Sequence, residues 1–471
     1  MSITNAFVSS RSGLVATAAR SEMTASNIAN ADRAGYVRRG LVLTSGPGGS
    51  GVQVVGIRRE VDSALDRMHR QEMARTATQE AMADGLRTQA ALLGKPGDPL
   101  SIPGRLTSLQ SRLDDLSNDP AQPALQRAAL DAAAALVAGL NAGAATLAQT
   151  LAETRTGLQT DVTSLNRLLQ EAADLNRKIA VSETGTRNAA MLEDSLAQTI
   201  DEMSQLVDLR LIRDPQGGIV IYTAGGTPLV EGRTVHPVTF DAAGGRLFAG
   251  DAEITPGAPG VRGADEGRLA GRFALLNTVL PRMQAQLDET ARLLVQSFTA
   301  ADPSLAPGEP GLFTDAGAAF DPAMAEGMAA RLAINTAVRG PAGDTLWRLR
   351  DGMGAAVPGP ESDNTRIEGM IAAFGVSYTL APAAGLGAQS RLSDLVPAMI
   401  ADQQVAFTGA QSRAEALRAG AQVLESARLG FQGVNVDDEL QQLAAIEQSY
   451  GANAIMMRTL SEMLDVLLAA V

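Results

Sequence analysis

From Val434 to Val471 the chain reads VNVDDELQQLAAIEQSYGANAIMMRTLSEMLDVLLAAV. Leu443, Ile446, Tyr450, Asn453, Met457, Leu460, Leu464, Leu467 and Val471 follow one another there at alternating steps of three and four. That is a seven-residue repeat with apolar residues at both seam positions, and the spacing predicts a coiled-coil helix. Its start is marked as well. Asn435 and Asp437 are candidate caps for the first free amides, and Asp438 and Glu439 place negative charge on the first turn. At 1.5 Å per residue such a helix runs roughly 50 Å. A single apolar stripe of that length must be covered by a partner.

The opening of the chain offers one. Ser2 to about Ile28 reads as a helix with Ile3, Phe7, Leu14, Val15, Ala18, Ala25 and Ile28 broadly on one side. The stripe is weaker than the C-terminal one, because Ser and Thr occupy several seam positions. It ends in SNIANADRAGY, where Asn30, Asp32 and Gly35 supply turn chemistry: Asn tolerates left-handed dihedrals and Gly adopts them freely. Two short β-type runs, Arg39–Thr44 and Gly51–Val55, then flank the loop SGPGGSG. The loop lacks the Lys-Ser/Thr that follows a phosphate-binding loop and opens no helix, so it reads as a connector.

Helical periodicity takes over from Glu60 to Leu93, with Val61, Leu65, Met68, Met73 and Met82 on one face. It continues from Ile102 to Leu116, from Pro123 into the 170s, and through NAAMLEDSLAQTIDEMSQLV. At Asp208 the texture changes to short β-type runs separated by Gly-rich turns, as far as about Gly263. Helix returns from Gly267 to about Ala300. A Pro/Gly-rich irregular zone and shorter helices and loops then lead to a last amphipathic block, Leu392–Leu429. The expected fold is mainly α: long terminal helices forming a coiled coil, a helical-bundle central domain and a small β-rich insertion. The expected segments are 1–58 (N-terminal helix and connector), 59–207 (central domain, first part), 208–265 (β-rich insertion), 266–430 (central domain, second part, with the irregular segment) and 431–471 (C-terminal helix).

Composition sets limits on chemistry. Hydrophobic residues are 45% but aromatics only 3%, so the cores must be built from Ala, Leu, Val, Ile and Met, which suits helix packing. A net charge of −13 without a basic patch argues against nucleic-acid binding. The absence of cysteine excludes disulfides, thiolate metal sites and a Cys nucleophile. No run of eighteen apolar residues is present, so no membrane span is expected, and the N-terminal segment does not read as a cleaved secretory signal. His69 and His236, far apart in sequence, read as solvent-facing rather than as a metal pair. Asp114–Asp115 and Asp437–Asp438–Glu439 read as solvated or capping carboxylates rather than acid/base pairs, and no G-x-S-x-G elbow occurs. The expectation is a protein that is not an enzyme, with no cofactor and no metal.

Both ends carry a resemblance. SNIANADRAGY resembles the N-terminal signature of the axial proteins of the bacterial flagellum (rod, hook and hook-associated proteins) through Asn27, Ala29, Asn30, Gly35 and Tyr36. Arg33 and Ala34 stand where that family usually has Thr and Pro. GVNVDDE and QSYGANA resemble its C-terminal signature through Gly433, Val434, Asn435, Asp437, Glu439, Tyr450, Ala452 and Ala454. LSNDPAQPALQRAALDAAAALVAGLN, ADLNRKIA, LEDSLAQTIDEMSQLVDLRL and GGIVIYTAGGTPLV resemble, in this order, the body of the family's hook–filament junction members.

The resemblance implies a structural subunit that joins hook to filament, exported by the flagellar type III apparatus without a cleaved signal and therefore extracellular. It implies that the terminal helices pair in an inner tube, ordering largely on incorporation. The implied partners are further copies of the chain, hook protein, a second junction protein (hook-associated protein 3) and an export chaperone on the C-terminal segment, with no nucleic acid and no membrane. The implied assembly interface comprises Ile3, Phe7, Leu14, Ile28, Asn30, Gly35, Tyr36, Leu443, Ile446, Tyr450, Asn453, Met457, Leu460, Leu464 and Leu467. A hook or distal-rod protein is the alternative within the family, and a soluble helical coiled-coil scaffold the alternative outside it.

Overall fold

The computed structural model describes residues 3–46, 51–93, 98–213, 218–339 and 345–469. The first helix, α1 (Ile3–Ala29), leads into a hairpin of β1 (Arg39–Ser45) and β2 (Val52–Arg59), paired from Arg39 opposite Arg59 to Ser45 opposite Val52. Most of the glycine-rich connector between these strands lies outside the described residues. Four helices follow: α2 (Ser63–Leu93), α3 (Ile102–Asn118), α4 (Pro123–Val181) and α5 (Arg187–Leu206). Ser101 and Thr186 cap α3 and α5 by accepting from the Gly104 and Ala189 amides, which satisfies donors the helix cannot pair itself.

α4 is the spine of the body. Its 59 residues run about 90 Å, and its two halves enter different cores. Ala129, Ala133, Leu136, Leu140 and Leu147 pack with Leu106, Leu109, Leu113 and Leu116 of α3. Leu158, Leu165, Leu169 and Ala172 pack with Leu196, Ile200 and Met203 of α5 and with the β-rich segment. Length and composition alone would let α4 cross a membrane; its apolar side chains just named are instead buried inside the protein.

The β-rich segment forms two antiparallel sheets. β3 (Leu209–Arg213), β4 (Ile219–Thr223), β5 (Pro228–Glu231) and β6 (Thr234–Val235) make one, and β7 (Val238–Asp241), β8 (Arg246–Ala249) and β9 (Ala252–Glu253) the other, both in chain order. Two asparagines of α4 clamp them. Asn166 donates to the Val238 carbonyl at 2.7 Å and accepts from its amide at 2.8 Å, and Asn176 does the same to Ile219 at 2.7 and 3.0 Å. One side-chain amide thus supplies the donor and the acceptor that a neighbouring strand would.

At the joint between α5 and β3, burial pushes the Asp208 carboxyl up to about 7, the nearby Asp265 and Glu266 charges adding to it while the Asp265 amide opposes. One oxygen accepts from that amide at 3.3 Å and the other, Oδ1, is buried without a partner. An acid whose pKa rises on folding favours the folded state when protonated, so its contribution is present below about pH 4 and is lost as the pH rises towards about 7. Asp208→Asn is therefore expected to raise the melting temperature at pH 8, by a gain of up to about 4 kcal/mol, and the gain should vanish near pH 4. Thermal melts of both proteins across that range check it.

α6 (Arg268–Ala274) and α7 (Leu280–Ala300) continue one another through a π-helical turn, Leu275–Val279. A single apolar period predicts one helix here and does not reveal the wider turn. Beyond it lie β10 (Phe313–Asp315), α8 (Met328–Arg331), β11 (Leu332–Ile334), α9 (Arg348–Asp351), α10 (Thr365–Ala373), β12 (Ser377–Thr379) and β13 (Gln389–Arg391). β10 pairs with β11 and β12 with β13. The sequence reading placed only helices and loops in this region; strands of three residues are too short to display a period.

The last two helices are α11 (Leu392–Gln432) and α12 (Val436–Ala469). α11 runs antiparallel to α2, with Gln403 at Gln89, Arg418 at Glu80 and Gln432 at Asp66. Met68 of α2, assigned to the apolar face from the sequence, is exposed. Among the described residues the buried α2 side chains are His69, Ala74, Thr76, Thr78, Ala83, Leu86 and Gln89, mostly small or polar, while Leu65, Met73 and Met82 of the apolar face are half-buried. His69 is likewise a correction, because it is buried and its Nε2 lies 3.3 Å from Glu425. Burial and the neighbouring Arg428 hold its pKa below the ordinary histidine range. His236 is half-buried beside Glu231.

Candidate assembly interface

α1 and α12 lie against each other and run antiparallel. Asn27 meets Glu439, and fourteen residues back along α1 and forward along α12, a methyl group on Gly13 would come within 3.1 Å of the Asn453 amide. Asn453, half-buried, therefore packs directly against Gly13 of α1. On α1 the buried residues are Ser10, Ala16, Thr17, Met23, Thr24 and Asn27, with Phe7, Leu14 and Ile28 half-buried beside them. The seam of α1 is thus largely hydroxyl-bearing and small. Val15, Ala18 and Ala25, assigned to the same side from the sequence, face outward. They fall off the three-four spacing that Phe7, Ser10, Leu14, Thr17, Thr24 and Ile28 keep.

On α12, Glu439, Ile446 and Leu460 are buried and Leu443, Asn453 and Met457 half-buried. Tyr450 is 50% exposed and Leu464 38%, so α1 covers only part of the stripe. The side chains of Ile3 and Leu467, and all of Val471, lie outside the described residues. Further apolar side chains point away from the pair: Val8 and Val15 on α1, and Leu440, Ile455, Met456, Val466 and Leu468 on α12. Two helices are paired, and a second apolar surface is left open.

The root of the pair is polar. Asn27 is 2% exposed and its side chain makes four hydrogen bonds. Its Nδ2 donates to the Arg39 carbonyl at 3.0 Å and to Glu439 Oε2 at 3.3 Å. Its Oδ1 accepts from the Tyr36 hydroxyl at 2.9 Å and from the Arg39 amide at 3.2 Å. The other oxygen of Glu439 accepts from Arg38 Nε at 2.7 Å. Glu439, read from the sequence as a capping or solvated carboxylate, is 1% exposed and ties the two terminal helices to the connector. The cap itself is Asn435, whose Oδ1 accepts from the Asp437 amide at 3.0 Å.

Asn30 closes the turn after α1 by donating to the Ser26 carbonyl at 2.8 Å. Gly35 there has φ +73°, and any side chain would run into Gln198 of α5. Tyr36 lies under the Arg39 guanidinium at 4.7 Å. Sequence reasoning named Asn30, Gly35 and Tyr36 as interface residues but left Asn27 as a signature position without a role and gave Glu439 only that of a first-turn or solvated carboxylate. Their invisibility is physical: a buried polar pair interrupts an apolar period in the same way as an exposed one.

Three family models match the chain. One, the flagellar hook-associated protein FlgK helical domain, covers residues 91–303. A second, the flagellar basal body rod FlgEFG protein C-terminal segment, covers 426–470, and a third, the flagella basal body rod protein, covers 8–36. Among curated proteins, the flagellar hook-associated protein 1 of Bacillus subtilis strain 168 is 25% identical over 236 residues, 47% of this chain and 46% of that protein. The protein of the same name from Salmonella typhimurium is 26% identical over 241 residues, 48% of this chain and 42% of the other. The chain thus spans under half the length of the curated relatives it matches. A solved structure of the flagellar hook junction protein FlgK from Burkholderia pseudomallei aligns with a TM-score of 0.43 at 22% identity, over 54% of this chain and 46% of that one.

Proposed function

We propose that this chain, a member of the flagellar hook-associated proteins, is a structural subunit of the bacterial flagellum that joins hook to filament. The observation that carries the reading is the order of the three matched segments: the helical hook-associated domain lies between the two axial termini. Those termini form an antiparallel pair whose outer apolar side chains are uncovered in the single chain. Neighbouring copies, each bringing the same pair, would cover them. Hook protein, hook-associated protein 3 and an export chaperone acting on the C-terminal segment are the further partners of this reading. Type III export delivers the subunit outside the cell.

The terminal pair is weakly held within one chain. Among the described residues, Met23, Ile446 and Leu460 are the large apolar side chains fully buried along it, at roughly 1.5–3 kcal/mol each. Ordering the backbone costs about 1–2 kcal/mol per residue, offset only in part by helical hydrogen bonds. The distal parts of both helices therefore order fully on incorporation, which keeps the chain exportable and delays polymerisation. The test is electron microscopy of cells lacking the chain. Hooks without filaments are expected, and a normal complement of filaments would remove the junction reading.

A further inference from the structure

α5 has two faces with different partners. Leu196, Ile200, Met203 and Leu206 are buried in the second core of the body. On the other side Asp194, Gln198 and Asp201 stand at i, i+4 and i+7, which is one row along a helix. Each member of the row reaches a different element. Asp194 holds two guanidinium groups at the base of the β1–β2 hairpin, Arg39 Nη2 at 2.8 Å and Arg59 Nε at 2.7 Å, and Glu193 adds a contact to Arg59 at 3.4 Å. Gln198 donates to the Ala34 carbonyl at 2.9 Å, in the turn that follows α1. Asp201 accepts from Arg428 of α11 at 2.6 Å and from Arg70 of α2 at 3.4 Å.

These contacts converge on the root of the terminal pair. Arg39, whose side chain is 3% exposed, is the residue whose backbone Asn27 grips. Arg428 lies one turn before Gln432, which donates to Asp66 of α2 and whose carbonyl accepts from the Arg38 amide. Just before α5, the Gly185 carbonyl accepts from the Ile57 amide of β2 at 2.7 Å. Contacts of this kind are directional. Charge-assisted hydrogen bonds between guanidinium and carboxylate groups have a preferred geometry, whereas an apolar joint could slide.

We propose that α5 is the positioning element that sets the direction in which the terminal helices leave the body, with Asp194, Gln198 and Asp201 as a polar latch on the connector and on the α2–α11 pair. The proposal rests on the assembly reading, since only a pair that must meet neighbouring copies needs a set direction. It is tested on the full, unassembled chain, so its failure leaves that reading standing.

The absence of cysteine makes site-directed spin labelling clean. Val55→Cys on the outside of β2 and Gln159→Cys on an exposed turn of α4 report the distance between connector and body by pulsed electron paramagnetic resonance. A single narrow distribution is expected in the otherwise unchanged chain, with at least a twofold widening when Asp194→Asn and Asp201→Asn are added. Asp174→Asn, which breaks an exposed pair with Arg177 on α4, should leave the width unchanged. Gln198→Ala removes one hydrogen bond without stranding a buried charge, and it should widen the distribution in a chain whose body melts normally. A distribution equally narrow in the double variant and in Gln198→Ala, or one already broad without them, overturns the latch.

Discussion

Leu460→Asp combined with Leu464→Asp is expected to abolish incorporation of the chain into flagella while leaving the melting of the body unchanged. Leu460 is buried in the α1–α12 pair, and Leu464, one turn further on, is 38% exposed at the edge of the open surface. The first substitution forfeits roughly 1.5–3 kcal/mol of apolar burial and forces a carboxylate to lose its water, at a cost of several kcal/mol. The second places charge where a neighbouring copy would sit. Neither residue belongs to the cores around α4, so the body has no reason to respond. Cells carrying the variant should swim no better than cells lacking the chain, and the purified variant should show the parent's main thermal transition. Normal filament numbers would count against the coiled-coil mechanism.

Asn27→Ala should open the root of the pair. The substitution removes a donor and an acceptor at once, strands the Arg39 amide and carbonyl and one oxygen of Glu439, and takes one partner from the half-buried Tyr36 hydroxyl. Each buried group left unpaired costs about 1–3 kcal/mol, and even one at the upper limit corresponds to a more than hundredfold increase in opening. Tryptic cleavage after Arg38 and Arg39 in the native chain should accelerate accordingly. Asn27→Asp distinguishes geometry from volume. It keeps the acceptor but sets a second carboxylate against Glu439, so cleavage should accelerate there too. Unchanged cleavage in both variants would mean that the polar root holds nothing.

Much of this architecture is legible in the sequence because it is periodic. The seven-residue spacing from Leu443 to Leu464 marks α12, the alanine-rich run beginning at Pro123 marks α4, and Gly-rich punctuation after Asp208 marks the β-rich segment. What the sequence hides is what breaks the period. The α1 seam interleaves Ser10, Thr17 and Thr24 with Phe7, Leu14 and Ile28. The hydroxyl residues are visible as a weak stripe, but a hydrophobicity count does not show that they are the more deeply buried set. α2 buries His69 and Gln89 against α11 while exposing Met68. Glu439 looks like any first-turn acid until Asn27, 412 positions away, is brought beside it. The polar row on α5 is invisible for the same reason, since Asp194 and Asp201 gain meaning only from Arg39, Arg59, Arg70 and Arg428.

Central to all of this is the claim that the terminal pair is completed by neighbouring copies. Hydrogen exchange tests it directly, read on the unassembled chain and again on assembled flagellar ends. Fast exchange is expected in the unassembled chain along 3–21 and 446–469, beside a protected body and a partly protected root at Asn27 and Glu439. Strong protection of both stretches should follow on assembly. Protection of the terminal helices in the free chain as strong as that of α4 would mean that their stripes already have partners, and would favour a self-contained helical scaffold.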